Sequence, residues 1–458
     1  MRSRLFLSLL CSLSLPDCFP KTGADIYRSG NLAQVREAIE ELPIATGVNT
    51  QIDQVGPPIM FAAHKNKNLN VMRYLLNAGA DLEPPTADGS TPLILAAMEN
   101  SVEIVSMLID AGSPIHKVND HGSNAVMLAA NSNPDPKVVR LLIHHGANLD
   151  SEDEFHRTPL LLAAAHQTNP EVLFALLEAG SSVDYTNAQG WTALSTAAWS
   201  NPNLSIIDFL LSAKSNIHHK TQNGATPILL AAMKNTNEQI LTSLLDAGAS
   251  VHSIDNDAWT PLHGAAHFNP NQLVLQSLIL AGADLEATNN LGRTPLMLAA
   301  ASNPNPSCVA SLLEAGADIY AQSSHGLTPL FFAAAETSYL ATFELLVAAG
   351  ANVNARADDQ GTPLTYAAAF NPNPPILRAL LHAGANINAQ GDSGMSALMW
   401  AAKQNKNFKI ISVLLDEGAN PNLRCKEGKT ALDYAMENKG LQQNIVFTRL
   451  KKATRASD

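Results

Sequence analysis

Cysteine is scarce in this chain of 458 residues: Cys11, Cys18, Cys308 and Cys425 are all it carries. No C-x-x-C pair occurs, which excludes a zinc ribbon and a thioredoxin-like redox motif. Charge is also low, at 15% against about 25% in ordinary soluble domains. What charge there is leans acidic, with 29 Lys and Arg against 41 Asp and Glu and a net charge of −12. Binding to phosphate backbones or anionic membranes depends on Lys and Arg, so no nucleic-acid partner is expected. Long apolar runs are missing. The longest, Leu5 to Leu15, is interrupted by three serines, well short of the ~20 residues of a transmembrane helix. Reaction signatures are missing as well: there is no Walker loop, G-x-S-x-G elbow, H-E-x-x-H or calcium-loop spacing. His144-His145 and His218-His219 are adjacent pairs that cannot share one helix face, and Asp358-Asp359 reads as a solvated turn. The chain therefore reads as a non-enzyme with no cofactor and no metal. Its 46% apolar content excludes a disordered, solvating chain.

What is present is a period. A Thr-Pro-Leu tripeptide followed by Ala-Ala recurs with its first residue at Pro57, Thr91, Asn124, Thr158, Thr192, Thr226, Thr260, Thr294, Thr328, Thr362, Ser396 and Thr430. Every interval is 34 residues except the one from Thr91 to Asn124, which is 33. Thr before Pro is a helix start, because the hydroxyl caps free amides and proline gives up a donor that had no partner. Paired alanines give that helix a thin face on which a neighbour can lie closely. A second apolar stretch follows, such as Val172-Leu173-Phe174-Ala175-Leu176-Leu177, with the i, i+3, i+4 spacing of a buried stripe. A closing Ala-Gly, as at Ala281-Gly282, supplies the left-handed residue that ends it. The segment from Ala283 to Gly292 then reads as an extended stretch and a tight turn.

On these residues the chain resembles the ankyrin-repeat family, whose unit is commonly about 33 residues long with a Thr-Pro-Leu-His-x-Ala start. The resemblance covers 24–450 as about twelve repeats after a divergent N-terminal cap. It implies an all-α solenoid of stacked helix-turn-helix units with short β-hairpin loops, curved and elongated. The family's histidine stands only at His263. The extra residue of the 34-residue units falls between the helices, where Asn-Pro recurs at 133–134, 169–170, 201–202, 269–270, 303–304 and 371–372. These pairs read as the N-cap and first residue of the second helix.

The ends read as caps over 24–50 and 429–450, with a short basic tail at 451–458. Residues 1–23 form a leader: a positive start and an apolar stretch fit a secretory signal peptide. Export, to a periplasmic, envelope-associated or extracellular place, is thus favoured over a cytoplasmic one.

In ankyrin proteins the partner commonly meets the hairpin tips and the exposed side of the first helices, a concave face. Carried over by register, this implies exposed columns four, three and one residues before each anchor and seven and eight after it. Those columns hold Trp191 and Trp199 around Thr192, Met233 with Lys234 after Thr226, and Trp259, His267 and Phe268 around Thr260. Phe370 is an outlying member, and Trp400, four residues after Ser396, falls in a core column. At Glu154-Phe155-His156-Arg157 and Asp358-Asp359-Gln360-Gly361 the usual turn glycine is missing or displaced by one residue, so two irregular hairpins are expected. The function expected is a monomeric, non-catalytic scaffold binding one or more proteins, basic near the contact surface. The alternative is a structural or envelope-associated spacer with no single defined partner.

Overall fold

The computed structural model describes residues 24–43, 46–52, 56–84, 86–442 and 444–456. The leader, with Cys11, Cys18 and the signal-peptide expectation, lies outside them. The chain divides into two compact units, one ending at Gln222 and one beginning at Asn223. In the first, a short helix Asp25–Ser29 and its partner Leu32–Glu40 precede five helix pairs, from Pro58–Lys65 with Leu69–Asn77 to Ala193–Ser200 with Leu204–Ser212. In the second, six pairs run from Pro227–Lys234 with Glu238–Asp246 to Ala397–Gln404 with Lys409–Asp416. It ends with Ala431–Glu437, Lys439–Gln442 and Ile445–Ala456. The last helix runs on through Lys451 and Lys452, and buries Leu450.

The anchor residues cap the first helices. Thr91 Oγ1 accepts from the Ile94 amide at 3.3 Å and Asn124 Oδ1 from the Met127 amide at 3.1 Å. Pro57, Thr226 and Thr328 are exceptions that make no side-chain cap; the Thr226 hydroxyl meets Ser253 Oγ at 2.9 Å instead. The paired alanines, such as Ala96-Ala97, are wholly buried, as are Val172, Leu173 and Leu176 of a second helix. Each large aliphatic side chain so buried contributes about 1.5–3 kcal/mol. At the end of Gln272–Leu280 the Gly282 amide donates to Ile279 O at 3.0 Å and the Ala283 amide to Leu278 O at 3.0 Å. That closure needs the left-handed φ of 85° at Gly282.

The Asn-Pro reading is corrected at all but one site. Asn169 does cap its helix, accepting from the Glu171 amide at 3.1 Å. Asn133, Asn201, Asn269, Asn303 and Asn371 instead lie at the C-terminal ends of first helices, and the true N-caps are Asp135, Asn203, Asn271, Asn305 and Asn373. The displaced asparagines are buried, and their amides bind the preceding repeat. Asn303 Nδ2 donates to Ala266 O at 2.8 Å and Asn269 O at 3.1 Å, and Asn133 Nδ2 to Ala97 O at 3.0 Å and Asn100 O at 2.9 Å. A helix C-terminus exposes carbonyls without partners, so a side-chain donor from the next repeat satisfies them and sets the stacking register.

Backbone hydrogen bonds join many of the neighbouring turn tips. Asp120 N–H donates to Asp88 O at 2.8 Å, and Asp392 N–H to Asp359 O at 2.8 Å. Among the described residues the tips form tight turns without a named strand, with isolated bridges at Ile52–Gly56 and Gln390–Ser396. Cys308 and Cys425 are buried and unbridged.

Candidate protein-binding surfaces

The partner-facing residues expected from register fall into one group in each unit. In the first unit Trp191 and Trp199 meet edge to face, with ring centroids 5.9 Å apart. Trp191 is not exposed as its column implied: only 8% of it reaches solvent. Its position before the Thr192 cap sets the ring edge to face against Trp199, near the far end of the helix Ala193–Ser200. Trp199 is half-buried.

In the second unit Trp259 stacks on Phe268, with centroids 5.7 Å apart and planes 24° from parallel. His267 completes the group, edge-on to Trp259 at 5.4 Å and to Phe268 at 4.2 Å. All three are half-buried. Ser302 Oγ and His267 Nδ1 share a hydrogen bond of 2.7 Å, tying the group to the following repeat. Burial, joined by the nearby Arg293 charge, holds the His267 imidazole below its ordinary value despite an opposing backbone hydrogen bond, which favours the neutral ring. Met233 packs against the same helix at Gly264, where a β-carbon would lie 2.6 Å from Met233 Cγ. The sulfur-bearing chain and three rings thus gather around one first helix, Pro261–Phe268.

A second aromatic group was not legible as a site. Tyr366, Phe370 and Trp400 line a cavity of about 120 Å³ with Asp359, Gly361 and Gly391. Trp400 is therefore half-buried and not a core residue as its column implied. Tyr366 and Phe370 have centroids 6.0 Å apart, and Phe370 is 60% exposed. The Tyr366 hydroxyl donates to Asp359 Oδ2 at 3.3 Å. Burial, with the Asp359 and Asp358 charges beside it, pushes this phenol up to about 12. The signal in the sequence was the displaced glycine. At the column one residue before the anchor other repeats carry Trp191, Trp259, Arg293 or Leu327, but here Gly361 has no side chain to fill the space.

The two irregular hairpins take different forms. At Gln360 a non-glycine residue holds the left-handed turn position, with φ 58°. At His156 the same occurs, also with φ 58°, and the turn is closed by a buried ion pair. Arg157 Nε and Nη2 both reach Asp153 Oδ2 at 2.7 Å.

Among the described residues no group of three His, Cys, Asp or Glu side chains is placed to hold a metal ion, and no helix is long and apolar enough to cross a membrane. No curated protein matches this chain. Among solved structures it is similar to the crystal structure of the human ASB11 ankyrin repeat domain. The two are 28% identical with a TM-score of 0.44, over 50% of this chain and 98% of that one. The family model described as ankyrin repeats in three copies matches residues 28–120, 59–153, 126–220, 195–274, 262–357 and 358–450. With that coverage, and with capped helix pairs recurring at the same period, the chain belongs to the ankyrin-repeat family.

Proposed function

We propose that this chain is a non-catalytic protein-interaction scaffold, meeting partner proteins through its first-helix face and turn tips. Ankyrin repeats are in general protein–protein interaction modules. The observation that carries the reading for this chain is the Trp259–Phe268 stack with His267 and Met233. These are half-buried, largely aromatic groups gathered on and against one first helix. Rigid aromatic anchors of this kind dominate interface energetics, because they offer large apolar area for little lost rotamer freedom. Trp199 is the corresponding contact in the first unit, and Trp191 packs edge to face against it. The net charge of −12 favours a partner that is basic near its contact surface.

The test is capture by the immobilised full chain from source-cell extract, eluted at rising salt. The wild type is compared with a Trp259→Ala/Phe268→Ala variant and with Trp199→Ala. One stoichiometric protein that the double variant loses, with melting temperature held, supports the scaffold. Weak, diffuse capture that the variant leaves unchanged points to a spacer and overturns it.

A further inference from the structure

We propose that the Tyr366–Phe370–Trp400 cavity, with Asp359 at its edge, is a receptor for the guanidinium of an arginine side chain on a partner protein. This goes beyond the scaffold reading, since it rests on other residues and stands whether or not the Trp259 cluster binds anything.

Aromatic faces attract cations, and this chain repeatedly places its own cations over them. Arg28 lies over Phe61 with its guanidinium carbon 5.3 Å from the ring centroid, Arg36 over Tyr74 at 5.1 Å, and Arg140 over Phe174 at 5.6 Å. The closest parallel is Arg293 over Phe332, at 4.7 Å. Arg293 stands one residue before an anchor, and Phe332 four residues after the next anchor. The same two columns, two repeats later, hold Gly361 and Trp400. Where the earlier repeat supplies an internal guanidinium for the ring, this one supplies a hydrogen atom and leaves a cavity of about 120 Å³.

The glycine there serves space and not the turn. The left-handed position is occupied by Gln360, while a β-carbon on Gly361 would lie 2.8 Å from Tyr366 Cε2. Gly391, across the cavity, is held to the same standard: its β-carbon would lie 2.9 Å from Asp359 O. Arg356 fixes the two turns relative to each other by donating to Gln360 O at 2.5 Å and Gln390 O at 2.8 Å.

The chemistry of the lining matches a planar cation. Three aromatic rings line the cavity. Asp359 spends one oxygen on the Gly361 amide, at 2.9 Å, and the other only on the 3.3 Å contact with Tyr366, so acceptor capacity remains for a charged donor. Lys403 does not fill the site. Its Nζ is 5.4 Å from the Trp400 centroid and 5.3 Å from that of Tyr434, which places it on the side of Trp400 that faces the following repeat. A guanidinium stacks flat and keeps its donors in plane for the carboxylate, which an ammonium cannot do.

The experiment uses the full chain labelled with 5-fluorotryptophan. The Trp400 fluorine resonance is assigned by its disappearance in Trp400→Leu. The probes are nine-residue Gly-Ser peptides with one central arginine, citrulline, lysine or trimethyllysine. A saturable shift with arginine, at least about tenfold weaker with the neutral isostere citrulline, is expected. Phe370→Leu, at a side chain too exposed to matter for folding, weakens arginine binding about threefold to tenfold, and Asp359→Asn weakens it and flattens its salt dependence. Phe268→Ala leaves it unchanged. Equal shifts with arginine and citrulline, indifference to Phe370→Leu, or stronger binding of trimethyllysine than of arginine would each overturn the assignment.

Discussion

The Nδ1 atom of His263 accepts a hydrogen bond from the Thr260 backbone amide at 3.2 Å. Because the amide can only donate, the ring proton resides on Nε2, which donates to Arg293 O at 3.0 Å. His263 is wholly buried, and burial lowers its basicity from the ordinary 6.5, outweighing the hydrogen bonds that favour the cation. Unfolded chains therefore take up a proton before folded ones as the pH falls below 6.5, and the neutral ring's stability contribution, intact above that value, is lost downwards. His267, also lowered by burial, adds in the same sense. Urea midpoints should fall between pH 7.5 and 5.5. In His263→Gln, which keeps a side-chain cap at the same helical position, the fall should be shallower; an unaltered slope would exclude His263 as a source.

The asparagine ladder makes a separable prediction. Asn303→Ala removes buried donors from Ala266 O and Asn269 O and should cost about 1–3 kcal/mol. Asn305→Ala removes only the cap to the Ser307 amide and the contact with Pro270 O, costing about 1 kcal/mol. Denaturant titration of the two variants checks the order.

Backbone strain at the turns can be read in both directions. Gln360, at φ 58°, pays for a left-handed conformation that glycine adopts freely. Gln360→Gly should gain about 0.5–1 kcal/mol after the extra entropy of the unfolded glycine is subtracted. Gly394→Ala, at φ 72° and with a β-carbon 2.9 Å from the Lys426 amide nitrogen, should lose about 1–3 kcal/mol. Thermal melts should move in opposite directions.

Asp153 holds together a hairpin that lacks its glycine. One oxygen accepts from the Phe155 and Arg157 amides, at 2.9 and 2.8 Å, and the other pairs with the Arg157 guanidinium. Asp153→Ala strands a buried arginine and should cost about 3–5 kcal/mol. Replacing the exposed Glu154 by Gln, which touches His121 near the surface, should cost under about 1 kcal/mol.

The repeat, its helix pairs and the caps at most anchors were legible because they follow from local chemistry: Thr91 before Pro92 starts a helix and caps it. The same local rule holds at Asn169 but fails at the other five Asn-Pro pairs: it makes Asn303 a cap, while its buried amide has carbonyls of another repeat to satisfy. Trp191 was assigned to the surface because its column says nothing of Trp199 packing edge to face against it.

Taken alone, the amino-acid order determined the period, the element types and the family, because hydrophobic spacing and capping act over a few residues. Only the tertiary structure decided which rings are covered and which line an opening. That depends on side-chain volumes in adjacent repeats, such as Gly361 opposite Trp400 some forty positions later, and no single repeat contains both halves of such a fit.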